Sequence, residues 1–474
     1  MRIQAKTFQL FILSCLWCNL AVAAETSDPF GTDALLPPKP ALHPAADSVE
    51  PCTGQTLDHP LGLAEVVNLA LCNNPQTRVA WANSRMQAAQ IGVSKSSYLP
   101  DLGLAASVDR VKTGSSPAVS QSNAALSFSY LLYDFGARQA DLESSRQLLS
   151  AAIATQDGTV QTVFLKAIQS FYQSQAYAAA LDAAIESERA ARESLAAAEA
   201  RYNAGAATPA DKLQAQTAYS QSTLNRITAE GNLRTAHGTL ANTLGLDANS
   251  NVTLIPANTA AMPDNFEGDV NLLIEKAKQN RPDLRAAAAQ VKAAEAGVDA
   301  VRASGSPTIS LNASAGHGTS SGIGTNSSMI GINLNFPLFT GYATTYRIRS
   351  AEAQVESRNA QFDQLRLQVA LDVWTAYQQL TTATQTLRSS MDLLNSADQS
   401  NRVALGRYKA GVGSMLDVLS AQSALASARQ QRVQSAFDWN ISRAALAQAV
   451  GTLDADLLQT LQDNGSQAKD RKQP

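Results

Sequence analysis

The 474-residue chain lacks most of what an enzyme needs. Its four histidines (His43, His59, His237, His317) are scattered, and no His-Glu-x-x-His or Cys-x-x-Cys spacing brings metal ligands onto one turn. No Gly-rich loop of nucleotide-binding spacing follows a strand; Gly316-His-Gly-Thr-Ser-Ser-Gly322 falls in an expected hairpin tip. No catalytic, cofactor or metal site is therefore expected, and energy for any work must come from a partner. Neither sign of charge dominates: 37 Lys and Arg face 40 Asp and Glu, which leaves neither a basic face for nucleic acid nor an acidic tail. Cysteine is scarce, with four in all.

Long apolar runs are missing except at the N-terminus. Arg2 and Lys6 precede a mostly apolar stretch, Thr7 to Leu20, and Ala21-Val-Ala-Ala-Glu25 offers small residues for cleavage. This pattern predicts a secretory signal peptide over 1–24, since the apolar core is too short to span a bilayer. Cys15 comes too early in that core for lipidation. After cleavage only Cys52 and Cys72 remain, and such an even count in an oxidising periplasm fits one disulfide; two buried free thiols are the alternative.

What the chain does have is a duplication. Arg201-Tyr-Asn-Ala-Gly-Ala-Ala-Thr-Pro-Ala-Asp-Lys-Leu-Gln-Ala-Gln216 returns as Arg407-Tyr-Lys-Ala-Gly-Val-Gly-Ser-Met-Leu-Asp-Val-Leu-Ser-Ala-Gln422. Each copy reads as a helix closed by glycine (Gly205, Gly411) and restarted at a capping hydroxyl (Thr208, Ser414), a tight helical hairpin. The offset of 206 also relates Leu132 to Leu338, Leu240 to Leu446 and Gly245 to Gly451; upstream it becomes 207, relating Asn74-Pro75 to Arg281-Pro282. The function belongs to what two such halves build.

The expected order is an extended Pro- and Ala-rich tail over 25–60, repeat one over 61–247, a polar linker over 248–268, repeat two over 269–451 and a C-terminal tail over 452–474. Each repeat opens with an amphipathic helix stopped before Pro75 or Pro282 and a second helix. The period then changes to two. Leu126, Phe128 and Tyr130 alternate with Ser127 and Ser129, and Ile330, Ile332 and Leu334 with Gly331 and Asn333; residues 102–110 and 308–315 keep the same beat. Four strands in two hairpins follow, about 102–133 and 308–338, with tips near 112–121 and 316–327. Each hairpin feeds a long helical hairpin with its tip at about 203–208 or 409–414. Phe164, Phe171, Ala178 and Ile185, and likewise Val373, Leu380, Leu387 and Leu394, recur every seven residues, the period of coiled-coil packing.

Alternation alone fits a soluble sheet with one wet face. In a secreted chain, strands of about ten residues also suit a tilted crossing of a bilayer, where backbone groups are paired only in a closed barrel. Four strands cannot close one, because such barrels begin at about eight, so membrane strands require an oligomer. Tyr98, Tyr130, Tyr133 and Phe339 then form interfacial girdles, or else ordinary sheet packing.

The duplicated Asn-Pro and Arg-Pro helix ends, Leu-Tyr-Asp-Phe-Gly136, Leu-Phe-Thr-Gly341 and the paired Arg-Tyr-x-Ala-Gly tips together resemble the TolC-like outer membrane factors over nearly the whole mature chain. The resemblance implies a homotrimer with a twelve-stranded outer-membrane β-barrel on a long periplasmic α-helical barrel. It also implies a periplasmic adaptor and an inner-membrane transporter as partners. Length and character are most similar to members serving type I secretion of an adenylate cyclase toxin, with an ATP-binding-cassette transporter as the pump. A small-molecule efflux duct with a proton-driven pump is the alternative, and a periplasmic coiled-coil scaffold is a third reading. The resemblance makes Asp417 an acidic ring at the tunnel entrance, Asp211 its counterpart and Tyr408 a gate residue; helix capping accounts for both acids as well. Gly205, Ala206, Gly411, Val412 and Gly413 become adaptor contacts. The chain departs from the family pattern at Ser420, where a second acid is expected, and at Gly413, where a gate-linking arginine is expected.

Overall fold

The computed structural model describes residues 28–37, 59–112, 114–115, 117–256, 269–320 and 322–453. The duplication is literal in the elements. Helices α1 (Leu63–Asn73) and α2 (Pro75–Ser96) lead into strands β1 (Asp101–Val111) and β2 (Val119–Tyr133), then α3 (Ala137–Asn203) and α4 (Pro209–Thr243). The second half repeats this with α5 (Val270–Asn280), α6 (Pro282–Ala303), β3 (Thr308–Ser320), β4 (Ile323–Asn335), α7 (Ala343–Lys409) and α8 (Met415–Val450). Helices α3 and α7 have 67 residues each, which makes rods roughly 100 Å long. No described helix is long and apolar enough to cross a membrane.

The four strands make one antiparallel sheet in the order β1-β2-β3-β4, so β1 and β4 are both edges. Register puts Leu104 opposite Leu126, Phe128 opposite Ala313, and Leu311 opposite Ile332. One face is thus greasy from edge to edge, and in the single chain it lies bare: Leu104 is 68 % exposed and Ile332 70 %. Ser127, Ser129, Asn312 and Asn333 line the other face.

The second hairpin is tighter than expected. Residues 316–320 pair with 323–327 rather than forming a loop, so the turn closes around Gly322. Gly, Ser and Thr read as a loop because they carry no alternation, yet their backbones pair as well as any. Two other expectations also change. Part of the expected tail is docked: Lys95 Nζ donates to the Phe30 carbonyl at 3.1 Å, and Leu36 packs with Ala88, Ile91 and Leu149. The start of the expected linker is anchored by Val252, which is buried, and by a parallel bridge between Leu61 and Leu254. The expected signal peptide lies outside the described residues.

Where strand becomes helix, each repeat places a non-glycine aromatic residue in the left-handed region, Phe135 at φ 53° and Tyr342 at φ 63°. Such strain needs an anchor. In repeat one Asp134 supplies it, accepting from the backbone N–H and Nε of Arg138, both at 2.9 Å. Arg138 in turn stacks on Tyr98 with its guanidinium carbon 4.8 Å from the ring centre. Tyr133 and Phe135 meet edge to face, as do Phe339 and Tyr342, in a collar at the helix end of the sheet.

The core lies at mid-length of the rods. Val66, Val67 and Ala70 of α1 meet Phe164, Ile168 and Phe171 of α3, Leu240 of α4 and Phe437 of α8. Ala277, Val369, Val373, Leu380 and Leu446 form the equivalent cluster in repeat two. The heptads continue beyond what one chain can cover: Ile185 is 44 % exposed.

At the end of each repeat a glycine closes the last helix against the turn between its first two. A Cβ on Gly245 would lie 2.5 Å from the Asn73 carbonyl oxygen; one on Gly451 would meet the Arg281 nitrogen at 3.2 Å, and both have positive φ. Gly245→Ala is expected to cost about 3 kcal/mol or more and Gly451→Ala about 1–2 kcal/mol. Melting of the purified protein in detergent checks the order; equal losses would contradict the packing described.

Candidate functional site: the paired helical tips

The residues singled out by the duplication meet at the end of the rods remote from the sheet. In the first hairpin the Gly205 N–H bonds to the Tyr202 carbonyl at 2.9 Å and the Ala206 N–H to that of Arg201 at 2.8 Å. In the second, the N–H groups of Gly411 and Val412 bond to the carbonyls of Tyr408 and Arg407 at 3.1 and 3.0 Å. These bonds satisfy carbonyls that a helix end leaves orphaned. Gly205, Ala206, Gly411 and Val412 are exposed, so the outermost turn of each hairpin is free to meet another surface.

Each second helix then starts with a capping box. The Thr208 hydroxyl accepts from the Asp211 N–H at 3.3 Å, while Asp211 accepts from the Thr208 N–H at 3.0 Å. Ser414 and Asp417 repeat the arrangement at 3.2 Å in both directions. Capping is therefore a role that both acids fill. Hydrogen bonds from Ser414, and then the nearby positive charge of Arg407, hold the Asp417 carboxyl below its usual range. Asp417 is exposed at the tip surface and Asp211 half-buried.

Gly413 has a steric reason. A Cβ there would sit 3.0 Å from the Arg407 Cβ and the Tyr408 backbone nitrogen. A side chain at this position therefore needs Arg407 and Tyr408 to give by a few tenths of an ångström.

Tyr408 is buried, 7 % exposed, among Ala198, Ala215, Met415 and Val418. It therefore sits between the two hairpins. Its hydroxyl is buried with no hydrogen-bond partner among the described residues, so no direct bond links it to Asp211 or Asp417 within one chain. The residue overlooked in the sequence is Arg201. Its Nη1 donates to the Tyr408 carbonyl at 3.0 Å, and its guanidinium carbon lies 4.6 Å from the centre of the Tyr408 ring. Further from the tip, Gln422 Nε2 donates to Ser194 Oγ at 2.9 Å across the same seam. Arg201 and Gln422 stand at the first and last positions of the repeated motif, and that placement was the available signal.

Between the tips and the sheet, α2, α3, α6 and α7 form an arc whose concave side is a groove of about 1710 Å³. Only a concave face can touch all four helices. Its lining is mostly neutral, with Gln76, Asn83, Gln87, Thr155, Gln290 and Gln354 among the polar groups, and Arg281, Asp283 and Arg358 its charged residues. No group of His, Cys, Asp and Glu able to hold a metal occurs among the described residues. Cys72 is disulfide-bonded; Cys52, the partner expected from the sequence, lies outside the described residues.

Comparison with known proteins matches the family described as Outer membrane efflux protein to residues 66–246 and 273–452, one segment for each repeat. Protein CyaE of Bordetella pertussis is 32 % identical over 402 residues, covering 83 % of this chain and 84 % of that one. Outer membrane efflux protein BepC of Brucella suis is 26 % identical over 418 residues, covering 86 % and 90 %. The crystal structure of the Campylobacter jejuni CmeC outer membrane channel superposes with a TM-score of 0.74 at 19 % identity, covering 85 % of this chain and 89 % of that one.

If the Ser414 hydroxyl caps α8, Ser414→Ala is expected to make the Asp417 amide exchange with solvent roughly fivefold faster, while amides of the α7 core keep their protection. Hydrogen–deuterium exchange reads this directly, and unchanged exchange at Asp417 would show that the cap carries no weight.

Proposed function

The chain belongs to the outer membrane efflux protein family, and from that premise we propose that three copies form the exit duct of a type I protein secretion system. The observation that carries the duct reading is the sheet: one apolar face, two unpaired edges, and long rods attached to the same end of both hairpins. Twelve strands from three copies close the edges in the outer membrane, and the arcs of α2, α3, α6 and α7 join into a tunnel wall in the periplasm. The neutral groove becomes the inner wall, along which a cargo slides without being held by charge.

The cargo assignment rests on the resemblance of the mature chain to secretion-type members and is supported by the match to CyaE. An ATP-binding-cassette transporter in the inner membrane then supplies the energy. Gly205, Ala206, Gly411 and Val412, on the exposed outermost turns, and the half-buried Gly413 beside them provide the contacts for a periplasmic adaptor. Three copies of Asp417 near one axis form an acidic ring at the entrance; like charges held close attract cations in return. Asp211 contributes to the same rim, and Tyr408 holds the two hairpins in register behind it. The match to BepC, which is named as an efflux protein, favours small-molecule efflux as the second reading.

Two experiments test this. Deletion of the gene is expected to abolish secretion of a large protein while drug susceptibility stays as it was; the reverse result replaces secretion by efflux. In planar bilayers, Asp417→Ala is expected to relieve most of the block by divalent cations. Undiminished block would remove the acidic ring.

A further inference from the structure

The concave wall of α2, α3, α6 and α7 carries few charges and many amides. Eight glutamines line the groove against three charged side chains, and each of the four helices contributes at least one of them. On α7, Gln354 and Gln361 lie seven residues apart, so they share one face at a separation of about 10 Å. On α2, Gln76 and Asn83 repeat that spacing. A wetted helix face is served equally well by charged side chains, so their scarcity sets this wall apart.

A side-chain amide carries N–H donors and a carbonyl acceptor, the same groups that a peptide bond presents. Arg358 fixes two of them. Its Nη1 donates to Gln290 Oε1 at 3.4 Å and to Gln361 Oε1 at 3.1 Å, which ties α7 to α6 and leaves both NH2 groups as donors. Gln156 supplies the opposite group. Its side chain is 3 % exposed in the groove wall, and its Oε1 is an acceptor with no partner among the described residues. A buried acceptor left unmade is costly, and an incoming N–H relieves it. An extended chain spans the distance from Gln354 to Gln361 in about three residues, so it reaches several amides at once. Each neutral hydrogen bond exchanged for water strengthens binding by at most about tenfold, so such contacts hold a chain briefly and let it go.

We propose that this wall is an amide track for an extended, unfolded polypeptide. Gln290 and Gln361 donate to its backbone carbonyls, Gln156 accepts from a backbone N–H, and Arg358 is the positioning residue that presents the two donors. Such a surface engages the peptide backbone and not the side chains, so it takes any sequence and retains none. A charged lining would sort cargo by charge, and an apolar one would trap the apolar side chains that an unfolded chain exposes. The inference rests on the duct reading, but not on the acidic ring.

The test is block of the current through the purified full-length protein in planar bilayers, with an unstructured Gly-Ser repeat peptide added on the side of the strand hairpins. Wild type is expected to show brief blocks. Gln290→Leu combined with Gln361→Leu is expected to shorten them roughly tenfold, the scale of two weak hydrogen bonds, while open-channel conductance stays as it was. Arg358→Lys keeps the charge but loses the fork that holds both amides, and is expected to fall between wild type and the double variant at the same conductance. Gln214→Leu, exposed on α4 outside the groove, is expected to leave the blocks unchanged. Conducting wild-type channels without blocks overturn the proposal, and so do wild-type block times in the double variant. An equal shortening of blocks by the small aromatic cation ethidium also overturns it, since the wall would then be a site for small molecules in general. If the double variant fails to assemble, Gln290→Ala with Gln361→Ala, which favours the helix, decides by the same block times. Failure of the track is separable from failure of the duct: a track that fails leaves conducting channels with wild-type block times, whereas a duct that fails leaves no conductance.

Discussion

Every N–H and C=O of a chain in hydrocarbon must find a partner, and this sheet leaves two edges without one. That single requirement organises the molecule. The greasy face spanning β1 to β4 forbids burial of the sheet in water, and the open edges of β1 and β4 forbid it to stand alone in lipid. Another copy of the same chain meets both demands, because its β1 presents to β4 the edge that closes the ladder. The rods inherit the consequence. Exposed apolar positions such as Leu367, Leu371 and Ile227 continue below the sheet as surface awaiting the neighbouring copies.

Duplication supplied the building blocks, and divergence supplied the asymmetry. Asn74 and Arg281 occupy equivalent N-cap positions but work differently. Asn74 is buried and donates to the Thr243 carbonyl at 2.9 Å, locking the end of α4, whereas Arg281 spreads over Asp283 and Asp372. At the strand-to-helix junctions Asp134 and Thr340 hold the same turn with a carboxylate and a hydroxyl. At the tips, Arg201 and Arg407 part company altogether. The scaffold needs two like halves for its shape, and it is at these junctions and tips that the halves differ.

Much of this was legible in the residues. Alternation in Leu126-Ser-Phe-Ser-Tyr130 placed β2, the absence of proline from 137 to 200 placed α3, and Gly205 and Gly411 marked both tips. What stayed hidden depended on contacts between distant segments. The strand character of 316–320 vanished behind glycine and serine, whose pairing shows only in register with 323–327. Val252 and Leu254 looked like a linker because two apolar residues make no period. Arg201 looked like half of a repeated motif, and only the seam between hairpins distinguishes it from Arg407. Gly413 read as a missing arginine, and only the fold shows that a Cβ there crowds Arg407 and the Tyr408 backbone at 3.0 Å.

The central claim is that identical copies share one pore, and native mass spectrometry of the detergent-solubilised protein measures it most directly. The account predicts a particle of three mature chains that stays intact until the detergent shell is stripped. A single-copy species stable without detergent would contradict it.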